Sequence, residues 1–225
     1  MQHTIARHTA PKVGVIDMSP DMTAFLSPLF KELQPMGFSR ASITLSEALH
    51  ILLFLYGINP DRIFEFGTFY GETTRMLAAN ARNPNVEVFT LDIDSIDGIE
   101  FVGVDEAIAI ESLENQPVFT DPRITQLKGD SLYFDPTPFK DSVQFIFIDG
   151  NHAYEYVKKD TENAFIMLDK TKPACIVWHD YENPDFPDLT EYINEVSEYK
   201  NIFHPHRPDH TTIAFYPSNC ENVGK

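Results

Sequence analysis

Arg62-Ile63-Phe64-Glu65-Phe66-Gly67-Thr68-Phe69-Tyr70-Gly71, leading into the helical pattern of 72–81, is the stretch that decides the fold. An apolar run, a glycine turn and a helix in that order form the corner at which α/β folds cradle nucleotides. The glycines are spaced G-x-x-x-G, not the G-x-G-x-x-G of dinucleotide corners, where the second glycine lets the backbone approach a pyrophosphate. Phe69 stands at that position here and leaves no such room. The corner therefore suits an adenosine-containing ligand without a pyrophosphate, and S-adenosylmethionine is the obvious candidate. A nicotinamide dehydrogenase ranks lower for the same reason. Without a ligand, the same residues make an ordinary strand-to-helix turn.

Outward from the corner, elements alternate. Strands are expected at 62–67, 86–92, 123–128, 143–148 and 174–179, and helices at 71–82, about 104–115, 153–169 and 188–199. The strands read as nearly continuous apolar runs, such as Val143-Gln144-Phe145-Ile146-Phe147-Ile148, as a parallel sheet covered on both faces requires. Before the corner, 21–33 and 45–56 have helical spacing, the second with Ser46 and Glu47 near its start and Gly57-Ile58-Asn59-Pro60 as its break. Residues 1–20 read as an irregular arm, and 201–203 with 211–216 as a closing strand pair. The expected fold is a doubly wound, mostly parallel α/β sheet with an N-terminal helical extension and a C-terminal antiparallel hairpin. Residues 1–60 are expected to form an arm and helices that cap the substrate, and 61–225 the cofactor-binding domain.

At 225 residues the chain fits one such domain with a modest extension. It carries 17 Lys plus Arg against 34 Asp plus Glu, a net charge of −17. A field of that sign repels nucleic acid and anionic membranes but not a sulfonium or a divalent metal. The segment 1–15 lacks the apolar core of a signal peptide, and the longest apolar run, 51–56, is too short to span a bilayer. Cys175, in an expected strand, and Cys220, in the tail, make no disulfide framework, so a cytoplasmic location is expected.

Ligands of such sheets bind beyond the carboxyl ends of the strands. The second strand ends at Asp92, placed to take both hydroxyls of an adenosine ribose, with Asp94, Asp97 and Glu100 nearby. The third ends in Gly129-Asp130-Ser131, a turn that suits an adenine edge through Asp130 or the following backbone. The fourth ends in Asp149-Gly150-Asn151-His152 and the fifth in His179-Asp180-Tyr181. These two strands should be neighbours, so Asp149, His152, His179 and Asp180 should cluster. Carboxylates suit magnesium, and an imidazole shifts the preference towards manganese, iron or zinc. His204, His206 and His210 match no metal motif and read as a solvated loop. Phe25, Phe30 and Phe38 read as helix packing.

With these residues in view, the chain resembles class I S-adenosylmethionine-dependent methyltransferases, most closely the small-molecule O-methyltransferase branch that includes the macrolide-sugar enzymes. The matching segments are 64–71, Leu91-Asp92-Ile93-Asp94, Gly129-Asp130-Ser131, 147–155 and Trp178-His179-Asp180-Tyr181, within about residues 60 to 182. The resemblance implies cofactor contacts at Glu65, Gly67, Asp92 and Asp130, with Thr68, Gly71 and Ser131 in the same turns. It implies a divalent metal, magnesium or manganese, held by Asp149 and Asp180 with His179 in or beside the shell. His152 stands where the sugar enzymes have a proposed base. Catechol O-methyltransferase is a more distant relative with a catalytic lysine at that point. Many metal-dependent relatives carry an acid where this chain has His179.

The expected activity is methyl transfer from S-adenosylmethionine to a hydroxyl of a small molecule (a sugar, polyol or natural product), metal-assisted. Gly67 lets the backbone approach the methionine portion, and His152, titrating near neutral pH, is the base. Two rivals stand beside it: a metal-dependent hydroxylase using His152, His179 and a carboxylate, and a non-catalytic ligand-binding relative. A homo-oligomer is compatible with the sequence.

Overall fold

The computed structural model describes residues 14–16, 43–205 and 211–219. The expected helix at 21–33, with Phe25, Phe30 and Phe38, lies outside them, as do His206, His210 and Cys220. The described elements are β1 (Gly14–Ile16), α1 (Leu45–Ile58), β2 (Arg62–Phe66), α2 (Glu72–Asn80), β3 (Glu87–Asp92), α3 (Asp105–Glu114), β4 (Ile124–Lys128), β5 (Phe145–Ile148), α4 (Tyr154–Met167), β6 (Ala174–Trp178), α5 (Pro187–Ser197), β7 (Phe203–Pro205) and β8 (Ala214–Ser218). Two short 3-10 turns, Ser131–Tyr133 and Thr137–Phe139, separate β4 from β5.

One sheet carries all eight described strands in the order β1-β7-β8-β6-β5-β2-β3-β4. The β6-β5-β2-β3-β4 block is parallel, and β8 runs antiparallel between β6 and β7. This is the doubly wound sheet with a reversed C-terminal pair. One expectation changes: 1–20 is not wholly irregular, because Gly14–Ile16 pairs in parallel with β7 at the sheet edge. A three-residue strand with no hydrophobic alternation of its own is defined by its partner.

Strand alternation sorts the apolar side chains into two layers. Phe64, Phe66, Ile146, Ile148, Ile176 and Trp178 pack with α4 and α5 on one face. Ile63, Val88, Phe145, Phe147 and Val177 pack with α1 and α2 on the other. The fourth expected strand starts two residues late for a visible reason. Val143 bridges to Leu168, and the Gln144 side chain accepts from the Asp61 and Arg62 N–H groups, both at 3.0 Å.

Helix α1 opens with a capping box. The Glu47 N–H donates to Thr44 Oγ1 at 3.3 Å, and the Thr44 N–H donates back to Glu47 Oε2 at 2.8 Å. It closes on Asn59, left-handed at φ 50°, just before Pro60. Among the described residues no helix is long and apolar enough to cross a membrane.

Candidate active site

Strands β2 and β5 are neighbours, but the chain leaves them towards opposite edges of the sheet, β3 and β4 on one side and β6 on the other. Such a switch point opens a crevice at the strands' carboxyl ends. A cavity of about 440 Å³ occupies it, walled by Glu65, Gly67, Thr68, Asp92, Asp149, His152, His179 and Asp180.

The corner is built tightly. Gly67 has φ +87°, and a Cβ there would stand 2.0 Å from the Asp149 carbonyl oxygen. The close approach that demands glycine is therefore to the end of β5, not to a ligand alone. The Thr68 and Thr90 hydroxyls lie 2.6 Å apart. Phe69 is left-handed at φ 46°, which aims its N–H at Asp92 Oδ2, 3.2 Å away. Asp92 Oδ2 also accepts from the Ser112 hydroxyl at 2.8 Å. Burial pushes the Asp92 carboxyl up, against the pull of Ser112 and the Ile93 N–H. Glu65, 1% exposed, faces the α2 side and accepts from the Thr74 hydroxyl. Burial carries its carboxyl up to about 8. Gly71 starts α2 at φ +71° beneath the Phe119 ring and is not a wall of the cavity.

A smaller cleft shares Gly67, Asp92 and Asn151 with the main cavity and extends to Gly129, Ser131, Tyr156 and Asp160. Asp130 lines neither. Its Oδ1 caps the 3-10 turn by accepting from the Leu132 N–H at 2.9 Å, and its Oδ2 accepts from the Tyr156 hydroxyl at 3.2 Å.

At the ends of β5 and β6 the expected cluster is present. His179 Nδ1 lies 3.1 Å from Asp149 Oδ1 and 3.0 Å from Asp180 Oδ2. Donor atoms of Asp149, His179 and Asp180 all fall within 4.8 Å of one another. The other imidazole nitrogen, Nε2, faces Glu47 Oε2 at 3.3 Å. A mixed oxygen and nitrogen set, with the imidazole's far nitrogen on a carboxylate, fits a divalent metal. Asp180 itself is left-handed at φ 60°.

His152 is anchored from α3. Its N–H donates to Asp105 Oδ2 at 2.9 Å, and its Nδ1 lies 3.0 Å from Asp105 Oδ1. Its ring stacks on Phe186 with centroids 3.8 Å apart. That leaves Nε2 3.3 Å from Asp180 Oδ2, at ion-pair distance but without an aligned hydrogen bond. Burial opposes a charge on this ring, but Asp105 and Asp180 outweigh it and hold the pKa up at about 9. The expectation of an ordinary imidazole near neutral pH is thus corrected: two carboxylates flank the ring. The same logic holds His179 well above the usual range, and holds Glu47 and Asp180 well below theirs.

Three participants were not expected at this site from the sequence. Asp105 opens a helix whose placement over the β5 turn is a tertiary fact. Glu47 was visible only as a helix-start residue; in three dimensions its Oε1 also accepts from the Thr212 N–H and hydroxyl, at 2.8 and 2.7 Å. Asp160 did leave a trace, an acid on the buried stripe of α4 between Val157 and Ala164. His204 lies in β7 and contributes to neither cavity.

A family profile described as a methyltransferase domain matches residues 64–181, the segment holding the corner, Asp92, Asp149, His152, His179 and Asp180. No curated protein matches the chain. Among solved structures, the SAH-bound methyltransferase PaMTH1 of Podospora anserina superposes with TM-score 0.55 at 15% identity, over 89% of this chain and 88% of its own. CalS11, a TDP-rhamnose 3'-O-methyltransferase of calicheamicin biosynthesis, gives TM-score 0.55 at 16% identity, over 90% and 96%. The O-methyltransferase TomG of Streptomyces achromogenes, in complex with SAM, gives 0.55 at 15%, over 86% and 92%. At these identities the likeness is one of fold.

Proposed function

The chain belongs to this methyltransferase-domain family, and on that premise we propose that it is an S-adenosylmethionine-dependent O-methyltransferase acting on a hydroxyl of a small molecule. The observation that carries the reading is the meeting, at one switch-point cavity, of a glycine corner with Asp92 on one side and Asp149, His152, His179 and Asp180 on the other. The solved structures that share the fold include enzymes whose names describe this chemistry.

Both implied groups fit the residues present. For the cofactor, the cavity reaches the Asp92 carboxylate, and the adjoining cleft holds a buried carboxyl oxygen without a partner. Bound there, the cofactor supplies an electrophilic methyl group. For the metal, Asp149, His179 and Asp180 are the holders, and a divalent ion supplies Lewis acidity that lowers the pKa of a neighbouring hydroxyl.

The chain's own residues do the rest. Asp105 fixes the His152 ring through Nδ1, so only Nε2 is available to take a proton from an acceptor hydroxyl. Positive charge brought in beside Asp180 opposes the imidazolium and favours the neutral ring that a base requires. Phe186 covers the other side of that ring and keeps water from it. Most of the acceleration comes from alignment of hydroxyl and methyl. Residues 1–60 serve as the cap over the substrate and 61–225 as the catalytic domain; Thr44 and Glu47 of the cap are walls of the cavity. The acceptor is a small molecule rather than nucleic acid, and the location is cytoplasmic, consistent with the −17 charge and the paucity of cysteine.

The test is transfer of labelled methyl from S-adenosylmethionine to a panel of sugars, polyols and phenols, with and without chelator. Labelled product on any hydroxyl supports the reading. Tight cofactor binding with no transfer to any acceptor favours a ligand-binding relative, and no cofactor binding removes the reading.

A further inference from the structure

One buried acid takes no part in the chemistry above. Asp160 lies in the second turn of α4, on the stripe that otherwise carries Tyr156, Val157, Ala164 and Met167 inward. It is 1% exposed, and its Oδ1 has no hydrogen-bond partner. Buried oxygens are seldom left so, because the lost hydration is not returned. Asp160 lines the smaller cleft at the carboxyl ends of β3 and β4. Leu91, Ile93, Ile99 and Phe101 give that cleft apolar walls, and Ser131 stands beside the acid. An apolar slot with one under-used polar group suits a flat heterocycle with a polar edge.

We propose that Asp160 reads the N1 and N6 edge of the cofactor's adenine, in place of Asp130, and this rests on the S-adenosylmethionine reading given above. Asp130 is spent on the Leu132 N–H and the Tyr156 hydroxyl and reaches neither cavity. Burial pushes the Asp160 carboxyl up to about 7; the Ser131 hydroxyl opposes this, the Asp130 charge adds to it and Lys159 opposes it. In its neutral form a carboxyl offers a carbonyl that accepts and an O–H that donates. Adenine's edge offers the complement: the 6-amino group donates and N1 accepts. An ionised carboxylate would satisfy only the first and repel the second, so the depth of burial matches the base to be recognised.

The experiment is calorimetric titration of the full chain with S-adenosylhomocysteine, with its 1-deaza analogue, in which N1 becomes C–H, and with its 6-deamino analogue. Wild type should bind each analogue roughly 10- to 100-fold more weakly than the parent. Asp160→Ala should weaken the parent and reduce both penalties to about threefold or less, since the partner of the missing groups is gone. Asp160→Asn, whose amide keeps one donor and one acceptor, should retain the parent's affinity and the discrimination. Equal wild-type affinity for all three compounds overturns the proposal, as does an Asp160→Ala variant that discriminates like wild type. The wild-type measurement needs no variant to fold. Wild type that binds none of the three removes the cofactor reading, and this proposal with it.

Discussion

Gly67 and Asp149 meet backbone to backbone: a methyl group on Gly67 would stand 2.0 Å from the Asp149 carbonyl oxygen and 2.6 Å from its carbonyl carbon. Strands β2 and β5 can end side by side only because residue 67 has no side chain. Gly67→Ala must push them apart and also bear φ +87°, a conformation that costs about 1–2 kcal/mol without glycine. The expected result is loss of stability and of cofactor binding together, by urea denaturation and calorimetry. A variant as stable as wild type that fails only to bind would show that the glycine serves the ligand alone.

Glu65 predicts a stability that declines with pH. Its folded carboxyl sits at about 8 against an ordinary 4.5. Between those values the unfolded chain has shed a proton that the folded chain keeps, so unfolding gains ground as pH rises through that window. Glu65→Gln should flatten the decline between about pH 5 and 8. Parallel stability curves for the two proteins would mean that Glu65 folds ionised.

Asp149→Asn and Asp180→Asn should each weaken manganese binding by calorimetry and lower turnover, with excess metal restoring activity only in part. Full wild-type turnover in excess chelator would assign both acids to substrate or structure instead.

His152→Ala should lower turnover by about 10²- to 10⁴-fold, the scale of a general base, while cofactor affinity holds. Asp105→Asn should lower it by less, and the double variant should be little worse than His152→Ala, because Asp105 acts through the ring it holds. Additive losses would separate the two residues.

Glu47→Ala should cost about 1 kcal/mol for the helix cap and a further 1–3 kcal/mol for the Thr212 and His179 groups left unpaired. Thermal unfolding of Glu47→Ala beside Thr44→Ala separates the two contributions. Equal losses in both would confine Glu47 to capping.

Much of this site was legible because strands of a covered parallel sheet are apolar runs, and the residue that ends each run stands at the crevice. That rule placed Asp92, Asp149 and Asp180 at the cavity. It says nothing of side chains arriving from elsewhere. Glu47 reaches His179 across 132 positions and Thr212 across 165, and no local pattern encodes such pairings. His152 was placed at the crevice, but its flanking carboxylate was not foreseen, because Asp105 arrives from a helix 47 positions earlier. Asp130 and Ser131 sit where the strand-end rule puts them. The rule fixes where a turn lies, not which atoms its carboxylate spends on capping itself. Strand β1 escaped notice because three residues carry no period.

The last of the described strands, β8, is wedged between β6 and β7, and just before it Thr212 closes on Glu47. Among the described strands, the β1–β7 pair therefore has no connection to the rest of the sheet until β8 is made and inserts. Glu47 likewise waits for a residue made 165 positions later. The corner and its strands can assemble early, but the Glu47 wall of the cavity is complete only once the segment 212–218 is in place. Completion of the sheet and of that wall are expected to coincide.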